Sequence, residues 1–208
     1  MYRLAMCVFL VGSFPLAAQS PSTVLDAMKA ELKREQAKLG SQPVPPYYIG
    51  YELTESHSAM VRGEFGGLIN SNENRNRQLN IDVRVGDYAL DNTREVRGEF
   101  NFGQYNSAPV PLDNDQDAIR AVLWHLTDQR YKQALERFTK VKTNVQVKVA
   151  AEDSSADFSR EDPQQYFESI SDVNFHRAIW EDKIRKYTAP FAKYTEYLSS
   201  YVVSTGRG

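Results

Sequence analysis

Along this chain the spacing of apolar residues switches from a helical period to alternation and back, marking a helix, a run of strands and two further helices. Val24, Leu25, Met28 and Leu32 form one stripe in an otherwise charged stretch. This predicts a helix over residues 22–38, with Pro21 in its first turn and Ser20 or Ser22 as its cap. Gly40 and the Pro43-Val44-Pro45-Pro46 run end it. Tyr47, Ile49, Tyr51 and Leu53 then alternate with smaller or polar neighbours. Residues 58–69 continue as an extended segment in which Gly63, Gly66 and Gly67 allow a bulge or close backbone packing. The polar tract of residues 70–74 reads as a turn. Leu79, Ile81, Val83 and Val85 against Gln78, Asn80, Asp82 and Arg84 give the clearest strand, with one buried and one wet face.

Gly86-Asp87 turns or bulges the chain before Tyr88 and Leu90, and residues 92–114 read as a long connection with some extended character over Glu99 to Phe102. Helical spacing returns with Ile119, Val122, Leu123, Leu126, Tyr131, Ala134, Leu135 and Phe138, and predicts a helix reaching about Lys142. Val145, Val147 and Val149 alternate as a short strand, and residues 151–164 are polar and loop-like. Residues 173–188 predict a third helix with Trp180, Ile184, Tyr187 and Phe191 near one face. Pro190 ends or kinks it, and Tyr197 to Val203 begins another strand. Strands in a meander with flanking helices predict an α+β fold, an antiparallel sheet with helices packed on one face.

The first residues stand apart. Arg3 is followed by a mostly apolar stretch from Leu4 to Leu16, then by small residues in Leu16-Ala17-Ala18-Gln19. This is the layout of a secretory signal peptide, so residues 1–18 are expected to be a leader and residues 19–208 an exported domain, periplasmic or secreted. Cleavage there removes Cys7, the only cysteine, and with it any disulfide, thiol nucleophile or thiolate ligand. No later apolar run is long enough to span a bilayer. The 208 residues, 41% hydrophobic and 25% charged, suit a soluble domain with a real core. The net charge of −2 gives no reason to expect nucleic acid or an anionic membrane as partner.

Candidate chemistry is sparse. His57, His125 and His176 lie far apart, with no second His at zinc-motif spacing, and His125 falls among the core positions of the second helix. Residues 113–117, Asp-Asn-Asp-Gln-Asp, imitate the first half of a calcium loop. Ala118 stands where the turn glycine is needed and Trp124 where the bidentate glutamate is needed, so these carboxylates read as helix-start electrostatics. No nucleophile elbow, P-loop or dinucleotide fingerprint is present. No catalytic, cofactor-binding or metal-ligating residue is assigned.

Several segments together resemble the N-terminal region of exported TldD/PmbA-like (modulator of DNA gyrase-type) zinc metallopeptidases. They are residues 83–93 (Val-Arg-Val-Gly-Asp-Tyr-Ala-Leu-Asp-Asn-Thr), Pro111-Leu112-Asp113-Asn114-Asp115, Ala118-Ile119-Arg120, the Leu123-Trp124 to Tyr131-Lys132 helix, and residues 156–161. The likeness spans nearly the whole chain after the leader, and its specificity comes from the combination. In that family an H-E-x-x-x-H helix and a further cysteine hold zinc downstream of the matched region. This chain carries neither. The resemblance therefore implies a non-catalytic N-terminal segment, incomplete at its C-terminal end, that shapes a peptide-binding chamber. It implies zinc only in a missing or partner catalytic region. Expected partners are a peptide substrate or a zinc-bearing chain, in a homo- or heterodimer. The chain reads as the front piece of a longer gene, as a separate subunit, or as a stand-alone exported peptide- or protein-binding domain without enzymatic activity. The resemblance further implies that this region receives an extended peptide along a sheet edge.

Overall fold

The alternation beginning at Tyr47 does not stop at the polar tract. It runs into a single long hairpin, to which the rest of the chain attaches. In the computed structural model, which describes residues 22–96, 107–147, 155–169, 175–196 and 202–207, helix α1 spans Thr23–Leu39 and strands β1 and β2 span Pro46–Glu64 and Gly67–Val85. They are followed by β3 (Ala108–Pro109), α2 (Gln116–Val147), α3 (Arg177–Thr188), a 3₁₀ turn (Ala189–Tyr194) and β4 (Val202–Arg207). The sheet order is β3-β2-β1-β4, with every pair antiparallel. The first three strands form a meander, and β4 returns to the far edge of β1. The fold is α+β, as the alternation predicts.

The register explains why all helices share one face. Ile49 lies opposite Val83, Tyr51 opposite Ile81, and Leu53 opposite Leu79, so odd-numbered residues of both strands point to one side. On that side α1 and α2 cover the end of the hairpin near residues 49 and 83. Ala27, Leu39, Ile119, Leu123, Tyr131 and Ala134 close a core over Leu79, Ile81, Val83 and Val85 there. α3 covers the tip, where Ala59, Val61 and Ile184 are buried. Glu181 of α3 accepts a hydrogen bond from Ser71, which lies opposite Val61. The other face is open: Glu52, Thr54, Ser56, Ser58, Met60 and Arg62 of β1 are all exposed.

The turn expected over residues 70–74 is instead strand, and the chain reverses at Phe65-Gly66. Both turn residues have positive φ, 48° and 85°, and that backbone twist matches the twist of the strands it joins. Gly66 meets that need without a Cβ penalty, and its N–H donates to Thr188 Oγ1 at 2.8 Å, tying the tip to α3. The bulge expected near the glycines falls between Arg62 and Gly63. Asparagine is a poor strand former. Here, however, the ladder is propagated from the buried Leu79–Val85 end, and side chains add to it, as Ser56 Oγ does by donating to Asn76 Oδ1 at 2.7 Å.

The other helices follow their patterns closely. Ser22 caps α1, its Oγ accepting from Leu25 N–H at 3.3 Å. The strand expected over Val145–Val149 is helix as far as Val147. Helical hydrogen bonds already satisfy the backbone there, and β-branching costs each residue only a few tenths of a kcal/mol. α3 begins at Arg177, with Ile184 and Thr188 inward and Tyr187 exposed. The leader over residues 1–18, the extended character near Glu99–Phe102 and most of the Tyr197–Val203 reading lie outside the described residues. No helix among the described residues is long and apolar enough to cross a membrane.

Gly86 has φ +112°, and a Cβ there would run into Leu90 O and reach Phe138 Cε2 at 2.8 Å. Gly86→Ala is therefore expected to lower stability by about 2 kcal/mol or more. Gly67→Ala, whose Cβ would meet nothing closer than 3.5 Å, should stay within about 0.5 kcal/mol of the parent. Urea midpoints of the two variants test this.

Candidate functional site

Two of the segments that carry the resemblance, residues 83–93 and 156–161, come together at the end of the hairpin near residues 49 and 83. Gly86 and Asp91 form an isolated bridge. Between them the Asp87 side chain accepts from Ala89 N–H at 2.8 Å and Leu90 N–H at 2.9 Å. This tight loop places Asn92 beside β2, where its amide acts as one more strand residue. Asn92 Oδ1 accepts from Val85 N–H at 2.8 Å and Asn92 Nδ2 donates to Val83 O at 3.3 Å. Asp91 is fully buried. It accepts from Thr93 Oγ1 and Thr93 N–H at 2.6 Å, from Tyr47 Oη at 2.5 Å, and from Arg84 Nη1 at 3.1 Å. The distant segment of residues 156–161 docks on the same loop. Asp157 accepts from Asp91 N–H at 2.8 Å and pairs with Arg94 at 2.6 Å, and Phe158 N–H donates to Tyr88 O at 3.1 Å. Phe158 lies under the Arg84 guanidinium, 4.0 Å from its ring centre, and against Tyr48 at 4.9 Å between ring centres.

Two further polar clusters brace the helices. Arg77, almost fully buried, donates to Glu55 Oε2 at 2.6 Å, Pro111 O at 2.7 Å and Asn114 Oδ1 at 2.9 Å. It thus organises the connection in which Asp115 Oδ1 caps α2, by accepting from Asp117 N–H at 2.9 Å and Ala118 N–H at 3.0 Å. The acidic run at residues 113–117 is a helix start, as its spacing predicts. On α1, Glu31 and Glu35 are buried at 1% exposure, though the sequence assigns that face to charge and solvent. They are two turns of the Ala27-Glu31-Glu35-Leu39 row, which faces α2. Arg34 pairs with both, and Arg120 Nε reaches Glu31 at 3.3 Å. Beneath them Tyr51 Oη and Thr127 Oγ1 share a hydrogen bond of 2.7 Å.

The electrostatics are those of a frame. At Asp91 burial alone would raise the pKa, but the Thr93 and Tyr47 hydrogen bonds and the Arg84 charge hold it below the usual carboxylate range. Glu55 is likewise lowered: burial opposes ionisation, and the bonds and charges of Arg77 and Arg75 outweigh it. Burial raises Glu35, and the neighbouring Glu31 adds to the rise while Arg34 opposes it. These carboxylates already have guanidinium or backbone donors as partners. Among the described residues no three His, Cys, Asp or Glu side chains are placed to hold a metal ion. The described residues therefore do not fit a zinc site. His57 lies 3.9 Å from Glu73, and His176 precedes α3 as its N-cap residue. His125 is exposed and bonds Gln129 at 3.0 Å, so it is not the packed or rim residue its helical position suggested.

What the frame leaves open is an edge. Arg77 O accepts from Val110 N–H and the Val85 N–H is taken by Asn92, both on the outer side of β2. Odd-numbered residues of β2 therefore turn their backbone groups outward. β3 pairs only with Gln78 and Leu79. From Arg75 toward the tip, the outward groups of Ser71, Glu73 and Arg75 face a lane with no strand partner among the described residues. The asparagine-rich composition of residues 70–74, which favours a turn, masks this edge in the sequence. The uninterrupted polar alternation from Asn70 to Asn80 was the signal that could have revealed it. No family model, curated protein or solved structure matches this chain.

Asp91 sets an acid limit on stability. Its folded pKa is depressed, so its contribution is full well above the ordinary value of about 3.9 and is lost as pH falls through that value and below. Asp91→Asn should cost roughly 3 kcal/mol at pH 7, because Arg84 loses a buried partner. It should also flatten the acid limb of stability against pH. Urea unfolding of both proteins between pH 3 and pH 7 checks the sign, and parallel curves would contradict it.

Proposed function

We propose that this chain is a non-catalytic, peptide-receiving segment of an exported zinc peptidase of the TldD/PmbA-like kind, which shapes the chamber and holds an extended peptide as an added strand. The observation that carries this reading is the lane on β2 that is open among the described residues, where the backbone groups of Ser71, Glu73 and Arg75 point outward beyond β3. Strand addition needs such a row of unpaired donors and acceptors on a rigid strand. β2 meets the second condition because β1 pairs it along its length and helices brace the same sheet at both ends. The resemblance implies the enzyme context, with zinc expected only in a missing or partner catalytic region. The buried carboxylates support a scaffold role, since those described above are already engaged by guanidinium or backbone donors. The same lane also serves a stand-alone binding domain, the second reading, which differs only in having no zinc-bearing region to work with.

A proline in the lane tests the docking mode. The Glu73 N–H points outward, so Glu73→Pro removes a docking donor without removing a β1–β2 hydrogen bond. A pool of seven-residue peptides should protect the Ser71 and Arg75 amides of the parent chain from hydrogen exchange, and Glu73→Pro should weaken capture at least tenfold with little change in thermal midpoint. Equal capture by the variant, or no protection in the parent, removes the proposal. An H-E-x-x-x-H region encoded beyond the Gly208 codon or on a co-purifying chain selects the enzyme context. Its absence from both selects the stand-alone reading.

A further inference from the structure

The lane on β2 is not electrostatically neutral along its length, and its charges are ordered. On the helix-covered face the side chains bordering it are Ser71, Glu73 and Arg75, and on the open face they are Asn70, Asn72, Asn74 and Asn76. Glu73 is exposed, with His57 as its nearest cross-strand ionisable neighbour at 3.9 Å. The Glu73 side chain presents its carboxylate to solvent. Arg75 is half exposed and shares the single carboxylate of Glu55 with Arg77. Two guanidiniums on one carboxylate leave one positive charge in excess at this end of the lane. The amides on the open face carry no charge and offer both donors and acceptors.

Direction comes from the strand already in the lane. β3 runs antiparallel to β2, with Ala108 opposite Leu79 and Pro109 opposite Gln78, and Val110 N–H makes the last bond at Arg77 O. The chain then leaves toward α2, held by Arg77 at Pro111 O and Asn114. A segment continuing in the same lane and direction next passes Arg75, then Asn74, then Glu73. Directly opposite side chains in an antiparallel pair are about 5 Å apart, close enough for opposite charges to attract and like charges to repel.

We infer that the lane selects extended peptides bearing an acidic residue, one uncharged polar residue and a basic residue, in that order from N- to C-terminus. The acidic side chain lies opposite Arg75, the polar one beside Asn74, and the basic one opposite Glu73. This rests on the peptide-receiving reading above and adds the class of peptide. The reversed order would set like charges opposite each other at both positions.

The test uses the full exported chain and three seven-residue peptides built on alternating serine and threonine. One carries Asp then Lys two positions later, one carries Lys then Asp, and one carries neither. Fluorescence anisotropy at low salt should rank the Asp-then-Lys peptide about five- to tenfold tighter than the reverse order, with the neutral peptide between. The gap should shrink in half-molar salt, because the charges are exposed. The double variant Glu73→Arg with Arg75→Glu should invert the ranking. Thermal midpoints of parent and variant establish that both are folded, and Glu73→Gln, which removes one charge without reversal, should reduce the preference. If all three peptides bind equally and compete for one site, the charge inference fails while peptide docking stands. If none binds, the peptide-receiving reading itself fails. A preference unchanged in the double variant places the discrimination elsewhere and overturns the inference.

Discussion

The antiparallel ladder between β1 and β2 is the constraint on which the rest of this structure depends. Each strand is 19 residues long, so the ribbon extends about 60 Å at the usual rise per residue. A two-stranded ribbon is marginal alone, and the chain supports it at both ends on a single face. α1 and α2 bury its apolar residues at one end. At the other, α3 covers Val61 and Gly63, and β4 pairs with residues 59–64 of β1. Because side chains alternate with a period of two, a slip of one residue would turn Ile81 and Val83 to water and bring Asn80 and Asp82 into the core. That penalty holds the register through the polar middle, where the side chains themselves express little preference.

Buried polar groups then define where loops and helices attach. Arg84 and Asp91 gather the 87–93 loop and the 156–161 segment. Arg77 and Glu55 hold the start of α2, and Glu31 joins α1 to α2 through Arg120. A buried charge left without its partner is costly, whereas a satisfied pair adds little net stability against an apolar substitute. The value of these clusters is therefore positional: they make alternative dockings of the loops unfavourable. The same engagement commits these carboxylates to structure, and the outward backbone groups of Ser71, Glu73 and Arg75 are left without a strand partner among the described residues.

The candidate site was hidden from the sequence for a definable reason. An edge strand is recognised by what fails to pair with it, and one-dimensional patterning records only which face of a residue is wet. Asn70 to Asn74 reads as a turn by composition, because asparagine and serine compete with strand geometry through their own side chains. The actual reversal sits at Phe65-Gly66, where the Gly66-Gly67 pair reads equally as a strand bulge, and the polar tract of residues 70–74 outweighs it. Glu31 and Glu35 were misread similarly. Charge within an amphipathic helix ordinarily faces solvent; here Arg34 pairs with both carboxylates, and Arg120 of α2 adds a second partner for Glu31.

The sequence by itself determined the elements whose periodicity is backed by burial. These are the Ser22-capped first helix, the Leu79–Val85 strand, the Ile119–Phe138 helical stripe, the Asp115 helix start and the α+β class. There a wrong conformation would expose apolar surface, so local pattern and global stability agree. Tertiary structure alone decided the length of the ribbon, the site of its turn, the docking of Phe158 and Asp157 on the Asp91 loop, and the lane beyond β3 that no other described residue fills. Each of these depends on which distant backbone groups find partners, and that is a property of the assembled chain rather than of any segment within it.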